Sequence, residues 1–208
     1  MTVRVPSLCG SVAAALLFDF SMHPLEALRL RRIRRRLIPQ AGGRVLEVGT
    51  GTGANLPFFR WDRIGQLTLV DLAFPPNVRG YAFPASVAVE FHQQSVEELP
   101  FDDCVFDSIV FSLLFCTVPD NKRGLAELHR VLAPGGHIFF IEHVLPPSRL
   151  LRVPMRAINP VWRRFGNGCN LTRDTVRLIE RAGFTIEQLD SHARGILVAG
   201  SAIKPAQV

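Results

Sequence analysis

Three glycines and one acid pose the first chemical question of this 208-residue chain. In "LEVGTGTGAN", Gly49, Gly51 and Gly53 fall where a short β-rich run gives way to a predicted helix. Glycines there let the backbone turn sharply and approach a ligand closely. The pattern is G-x-G-x-G; the dinucleotide fingerprint G-x-G-x-x-G is not met, because position 54 is Ala54. Twenty-two residues after Gly49, "TLVD" ends in Asp71. A carboxylate at the end of a second strand can accept hydrogen bonds from both hydroxyls of a ribose. The bland alternative is a turn or N-cap residue, but strand, glycine turn and acid arrive in the order a nucleoside site needs.

A second set of reactive residues lies further along. In an open parallel sheet, substrates sit beyond the carboxyl ends of the strands. That placement selects Cys116 and Thr117 after "CVFDSIVFSLL", and Glu142 and His143 at the end of "HIFFIEHV". His143 is the candidate catalytic base; its structural alternative is a strand-end histidine bonded to main chain. The run "GNGCNLTRD" (166–174) reads as a capped turn forming one wall of an acceptor pocket, with Asn170 facing the substrate. Thr172 is its expected N-cap and Asp174 suits the first helical turn. The four cysteines, Cys9, Cys104, Cys116 and Cys169, are widely spaced and form no CxxC pair. Neither a zinc site nor a disulfide scaffold is expected from that spacing, and a reducing cytoplasm is the expected setting. Cys169 has no paired ligand or activating base in the sequence, so it is not expected to be a nucleophile.

These residues need elements to hold them. From about residue 44 short apolar runs alternate with amphipathic stretches: "RVLEVG", "QLTLVD", "VAVEFH", "CVFDSIVFSLL" and "HIFFIEHV". Between the last two, Leu125, Leu128 and Leu132 recur at helical spacing, and Pro134, Gly135 and Gly136 are expected to stop that helix. Buried runs alternating with helices predict an α/β fold with a mostly parallel sheet covered on both faces. "TRDTVRLIERAG" predicts a late helix, and "FTIEQLDSHARGILVAGSAI" two antiparallel strands. At this length one domain is expected over 1–208, with a core at 41–208 and an N-terminal helical segment at 1–40.

Charge is concentrated rather than general. The net charge of +6 is matched by the six arginines of "RLRRIRRR", from Arg29 to Arg36, so the rest of the chain is balanced overall. Leu30, Ile33 and Leu37 form an apolar stripe on this basic helix. Arg149, Arg152, Arg156, Arg163 and Arg164 add charge around "LLRVPMRAINPVW". Arginines interleaved with apolar residues suit an anionic membrane surface; a solvated helical face is the plain alternative. No recognised RNA or DNA module accompanies the arginines, which argues against nucleic acid. The apolar stretch at 8–18 is too short to span a bilayer, and it lacks the basic flank and cleavage site of a secretion signal. It is a candidate lid over the site or a membrane-surface segment. Composition leaves the oligomeric state open.

"VLEVGTGTGAN", "LVD", "SVEELPFDDCVFD" and "LHRVLAPGGHIFFIEHV" resemble successive motifs of the class I S-adenosylmethionine-dependent methyltransferases. The resemblance implies a Rossmann-like, seven-stranded sheet of order 3-2-1-4-5-7-6 with strand 7 antiparallel. By position it implies that the turn Gly49, Thr50, Gly51, Gly53 and Asn55 holds the methionine part of the donor. Asp71 and Leu72 would serve the ribose, Ser95 and Val96 would flank the adenine, and Ser112 would lie near the methionine amino group or sulfonium. Glu47 is in the acidic position of the first motif. Two departures stand out. Ser95 replaces the aspartate of many relatives, and "LAFPPNVRGYAFPAS" lacks the usual second helix.

"GTGAN", "CTVPD", "RVLAPGGHIFFIEHV" and "NPVWRRFGNGCNLTRD" further resemble the methyltransferase-like protein 7 group of membrane-associated thiol S-methyltransferases. The group's long N-terminal anchor is replaced here by the short apolar stretch. The resemblance implies a small apolar acceptor, a thiol first. Phospholipid N-methyltransferases and quinone-precursor C-methyltransferases share the central motifs. A non-catalytic subunit that binds S-adenosylmethionine is the reading from another class.

Overall fold

The computed structural model describes residues 29–165 and 168–206. The apolar stretch at 8–18 and the lid reading fall outside them, as do positions 166 and 167 of the glycine-rich run. The strands are β1 (Gly43–Val48), β2 (Ile64–Asp71), β3 (Ala88–Gln93), β4 (Phe106–Ser112), β5 (Leu132–His143), β6 (Thr185–His192) and β7 (Leu197–Ile203). They form one sheet in the order β3-β2-β1-β4-β5-β7-β6. The first five pair in parallel, and β7 runs antiparallel to both β5 and β6. This is the expected architecture, including the terminal hairpin.

The central strands are continuous apolar runs because the sheet is covered on both faces. Along β4, Ile109 and Phe111 enter one core while Val110 enters the other. The first core is closed by α3 (Asn121–Val131) and α5 (Thr175–Arg181), through residues such as Leu125, Leu128 and Ile179. The second is closed partly by α1 (Arg31–Leu37) with its predicted stripe: Leu30, Ile33 and Leu37 are all buried. Two further helices, α2 (Pro76–Arg79) and α4 (Arg149–Phe165), complete the set of α-helices among the described residues.

Several local expectations are corrected. No α-helix follows the glycine turn. Residues Leu56–Phe58 and Trp61–Arg63 form two 3₁₀ turns, the first holding Pro57, and the chain is already extended at Phe59. Beyond β2 only the single turn of α2 forms, as the three prolines foretold. Aromatic rings cover that side instead: Trp61 lies 6.2 Å from Tyr81 and 5.9 Å from Phe83, and Phe91 contacts both Phe74 and Phe83. Helix α3 stops at Val131, before Pro134. Leu132 is extended and opens β5, and the Gly135 and Gly136 region exchanges backbone hydrogen bonds with Lys204 beside β7. The cap of α5 is Asp174, whose carboxylate accepts from Arg177 N, whereas the Thr172 hydroxyl donates to Asn170.

Candidate active site

The C-terminal ends of β1, β2 and β4 bring the glycine turn, Asp71 and Ser112 together. Gly49 N donates to Val70 O at 2.8 Å, which ties the start of the turn to β2. Gly51 N donates to Asp71 Oδ2 at 2.7 Å, and Ala73 N to Oδ1 at 3.3 Å. The acid therefore braces the turn and its own loop. Burial raises the Asp71 carboxyl, and the hydrogen bonds from Gly51, Ala73 and Leu72 pull it back. Gly51 has φ +56°, a left-handed conformation that side chains adopt at a cost.

Behind the turn sits a polar chain. Asn55 Nδ2 donates to Glu47 Oε1 at 2.8 Å, while Asn55 Oδ1 accepts from Arg34 Nε at 2.8 Å and from Ser112 Oγ at 3.2 Å. Asn55 thus links β1, β4, α1 and the turn. Glu47 is fully buried, and burial pushes its carboxyl up to about 8 against the pull of the Asn55 hydrogen bond and the Arg34 charge. Thr50 is buried with no hydrogen-bond partner for its hydroxyl among the described residues. A buried hydroxyl left over at the edge of such a turn is a group that an incoming polar ligand can satisfy. On the side expected to border ribose and adenine, Gln94 N donates to Asp71 O at 3.0 Å, so Ser95 and Val96 follow directly from a bond to the acid's own residue. Ser95 Oγ is engaged with Glu97, Val96 is buried in the core, and Leu72 is 67% exposed.

The acceptor-side residues also converge, though in unexpected roles. Glu142 is fully buried and accepts from three successive backbone amides, Leu114 N, Phe115 N and Cys116 N, at 2.7, 2.9 and 3.2 Å. Burial raises its carboxyl to about 8, against those hydrogen bonds. It holds the loop after β4, which leaves the strand through Leu113 at φ +55°. Thr117 Oγ1 donates back to Leu114 O, and Asn170 Oδ1 receives hydrogen bonds from Asn159 Nδ2, Thr172 N and Thr172 Oγ1. These polar atoms face protein, so Glu142, Thr117 and Asn170 shape the wall. The wall is stitched from both sides: Asn170 N donates to Cys116 O, and Arg173 Nη1 donates to Phe115 O and Val118 O.

His143 is 5% exposed, and its Nδ1 lies 3.8 Å from Cys169 Sγ. Cys116 and Cys169 are buried in one small cluster with Met155 and Leu171, against which Trp162 packs. The Cys169 thiol is lowered to about 5, first by the hydrogen bond from Cys116 and, against burial, by His143. Cys116 is raised correspondingly, since it keeps the proton it donates. The expectation that Cys169 has neither partner nor base is therefore overturned: the fold supplies both from distant segments. A cavity of about 910 Å³ between α1 and the β6–β7 hairpin is lined by none of these residues.

Arg34 is the buried residue of this polar chain that the sequence reading missed. It is 4% exposed and points at the donor side, while Arg29, Arg31, Arg32, Arg35 and Arg36 are exposed. Helical phase was the available signal, because position 34 shares the inward face with Leu30, Ile33 and Leu37.

A glycine turn braced by an acid at the end of β2, with a buried wall beyond β4 and β5, is the arrangement expected of a nucleoside-donor site in a Rossmann-like sheet. Residues 46–140 match the family described as Methyltransferase domain. A thiol S-methyltransferase TMT1B of Rattus norvegicus is 36% identical over 159 residues, 70% of this chain and 62% of that protein. The chain thus spans under two thirds of that relative's length. A phosphatidylethanolamine N-methyltransferase of Cereibacter sphaeroides is 30% identical over 155 residues, 73% of each chain. Among solved structures, the N-methyltransferase NodS of Bradyrhizobium japonicum, in complex with S-adenosyl-L-homocysteine, superposes with a TM-score of 0.61. It has 18% identity and 88% coverage of both chains. The chain belongs to the class I S-adenosylmethionine-dependent methyltransferase family.

Proposed function

We propose that this chain transfers the methyl group of S-adenosylmethionine to a small apolar thiol. The observation that carries the reading is the sulfur-rich wall of Cys116, Met155, Cys169 and Leu171, with Trp162 packed against it; its Cys116 lies in the loop after the strand that ends at Ser112. In this reading the Gly49–Gly53 turn, Asn55 and Thr50 hold the methionine part, and Asp71 and Leu72 the ribose. Ser95 and Val96 border the adenine. The acceptor sulfur attacks the methyl carbon in line as the bond from that carbon to the donor sulfonium breaks. The products are a thioether and S-adenosylhomocysteine, and the thiol proton passes to solvent. An alkyl thiol with a pKa of about 8.5 is already partly ionised near neutrality. Alignment therefore supplies more of the acceleration than a base does. Glu142 contributes as a positioning residue through the three amides it holds.

A panel of acceptors with methyl-labelled donor tests this reading. Label is expected in short alkyl thiols; transfer only to phosphatidylethanolamine or a quinone precursor would overturn it. Donor binding without turnover on any of the three would instead favour the non-catalytic subunit.

The reading places the site at a membrane surface. No helix among the described residues is long and apolar enough to cross a membrane. Helix α4, however, exposes Leu150, Val153, Ile158 and Val161, with Leu150 at 88%, on a helix that also carries Arg149, Arg152, Arg156, Arg163 and Arg164. Apolar and arginine side chains so interleaved suit the boundary between acyl chains and anionic headgroups. The exposed arginines of Arg29–Arg36 add to the attraction, Arg34 excepted. Wild-type protein is expected to float with anionic vesicles, and a Leu150→Asp, Val153→Asp double variant to remain in the soluble fraction. Equal flotation of the two would rule out α4 as the docking surface.

A further inference from the structure

We propose that Cys116, His143 and Cys169 form a binding site for one zinc-like divalent cation. The three residues come from separate parts of the fold: the loop after β4, the end of β5 and the segment after α4. Each offers one ligand atom, and these atoms all lie within 4.8 Å of one another. All three residues are buried. Tetrahedral zinc, with Zn–S about 2.3 Å and Zn–N about 2.0–2.1 Å, holds its ligand atoms roughly 3.5–3.8 Å apart. The Cys169 Sγ to His143 Nδ1 separation of 3.8 Å is already at that spacing. The cluster needs to contract by no more than about 1 Å to close on an ion of this size.

The donor set selects the class of ion. Two thiolates and an imidazole suit a borderline-soft metal, while magnesium and calcium require oxygen ligands. The neighbouring carboxylate of Glu142 is engaged with the amides of Leu114, Phe115 and Cys116. Two thiolates balance the charge of a divalent ion, so the filled site is neutral and suited to a buried position. Both cysteines bind the ion as thiolates, and any proton still held on sulfur passes to solvent as the S–metal bond forms. The loop bearing Cys116 is fixed beforehand by Glu142 and by Arg173, whose guanidinium holds Phe115 O and Val118 O. Three protein ligands leave a fourth position open, as in catalytic rather than structural zinc sites. That position would receive the acceptor as its thiolate, a consequence that rests on the thiol reading above; the site itself does not.

The test uses the full chain, reduced, stripped with chelator and offered zinc or cobalt(II). One zinc per chain is expected after desalting, with a rise in thermal midpoint, and the cobalt form should show thiolate-to-metal charge-transfer absorption. Cys116→Ser, Cys169→Ser and His143→Ala should each retain less than a tenth of the zinc, while Cys104→Ser retains all of it. Should a ligand variant fail to fold, the wild-type charge-transfer band and the Cys104→Ser control still decide the matter. Wild-type protein that keeps no zinc, or that shows no thiolate band with cobalt, would overturn the proposal. So would a Cys116–Cys169 disulfide, two mass units lighter, in place of metal uptake. Zinc binding without methylation of thiols would leave the site standing and remove the thiol reading; thiol methylation by a chain that never takes up zinc would do the reverse.

Discussion

Asp71 shows how much one side chain does at this site. Its two oxygens brace the glycine turn through Gly51 N and its own loop through Ala73 N, while its remaining lone pairs are available for a ribose diol. Replacing it by asparagine keeps the shape and loses the charge. Hydrogen bonds to charged groups contribute about 1.5–3 kcal/mol, so Asp71→Asn is expected to weaken donor binding roughly ten- to a hundred-fold. Titration calorimetry with S-adenosylhomocysteine would read this, and an unchanged affinity would remove Asp71 from the donor site. Glu47 gives a pH signature. Its carboxyl sits near 8 in the fold against an ordinary 4.5, so between those values the folded protein keeps a proton that the unfolded chain has released. Its contribution is full below about 4.5 and is lost as pH rises through 8. Glu47→Gln removes this contribution, so its stability relative to wild type should improve steadily from pH 5 to 8 in denaturant titrations. Cys169 acts with the opposite sign over part of that range, which is why the difference between the two proteins is the informative quantity. A pH-independent difference would contradict the buried, protonated state of Glu47.

At the scale of elements, the glycine turn was legible because its spacing and its distance from "TLVD" are local patterns. The helix expected after it was not formed: Pro57 and the aromatic-rich run that follows favour short 3₁₀ turns, and side-chain packing among rings replaces helix burial. The turn offers a further test. A methyl group on Gly51 would meet no protein atom closer than Gly49 O at 3.9 Å, so Gly51→Ala strains the backbone without a clash. The strain is worth about 1–2 kcal/mol, and the stability loss should be of that order. Donor affinity should fall as well, because the added methyl stands where the turn must approach its ligand. A variant with lowered stability and intact donor affinity would show that the turn does not contact the donor. The exposed face of α4 belongs to this scale too. Its arginines and apolar residues were readable as a pattern, but which side they faced depended on packing that only the fold supplies.

For the whole molecule, sheet order and the antiparallel terminal hairpin were readable, because buried parallel strands are continuous apolar runs and the motifs fall at their ends. The long-range constellations were not. Cys116, His143 and Cys169 are far apart in the chain and carry no ligand-spacing signature, so only the crossing of β4, β5 and the post-α4 segment brings them together. Arg34 was hidden for a related reason. A run of arginines looks uniform until helical phase and the neighbouring sheet assign one of them to the interior. The same folding that buries these groups places the donor turn and the sulfur-lined wall at one end of the sheet. The most direct measurement follows both products when the chain is mixed with methyl-labelled S-adenosylmethionine and a short alkyl thiol. Equal amounts of labelled thioether and S-adenosylhomocysteine, with a raised donor KM in Asp71→Asn, are predicted. Label passing to phosphatidylethanolamine or a quinone precursor, with none in the thiol, would contradict the account.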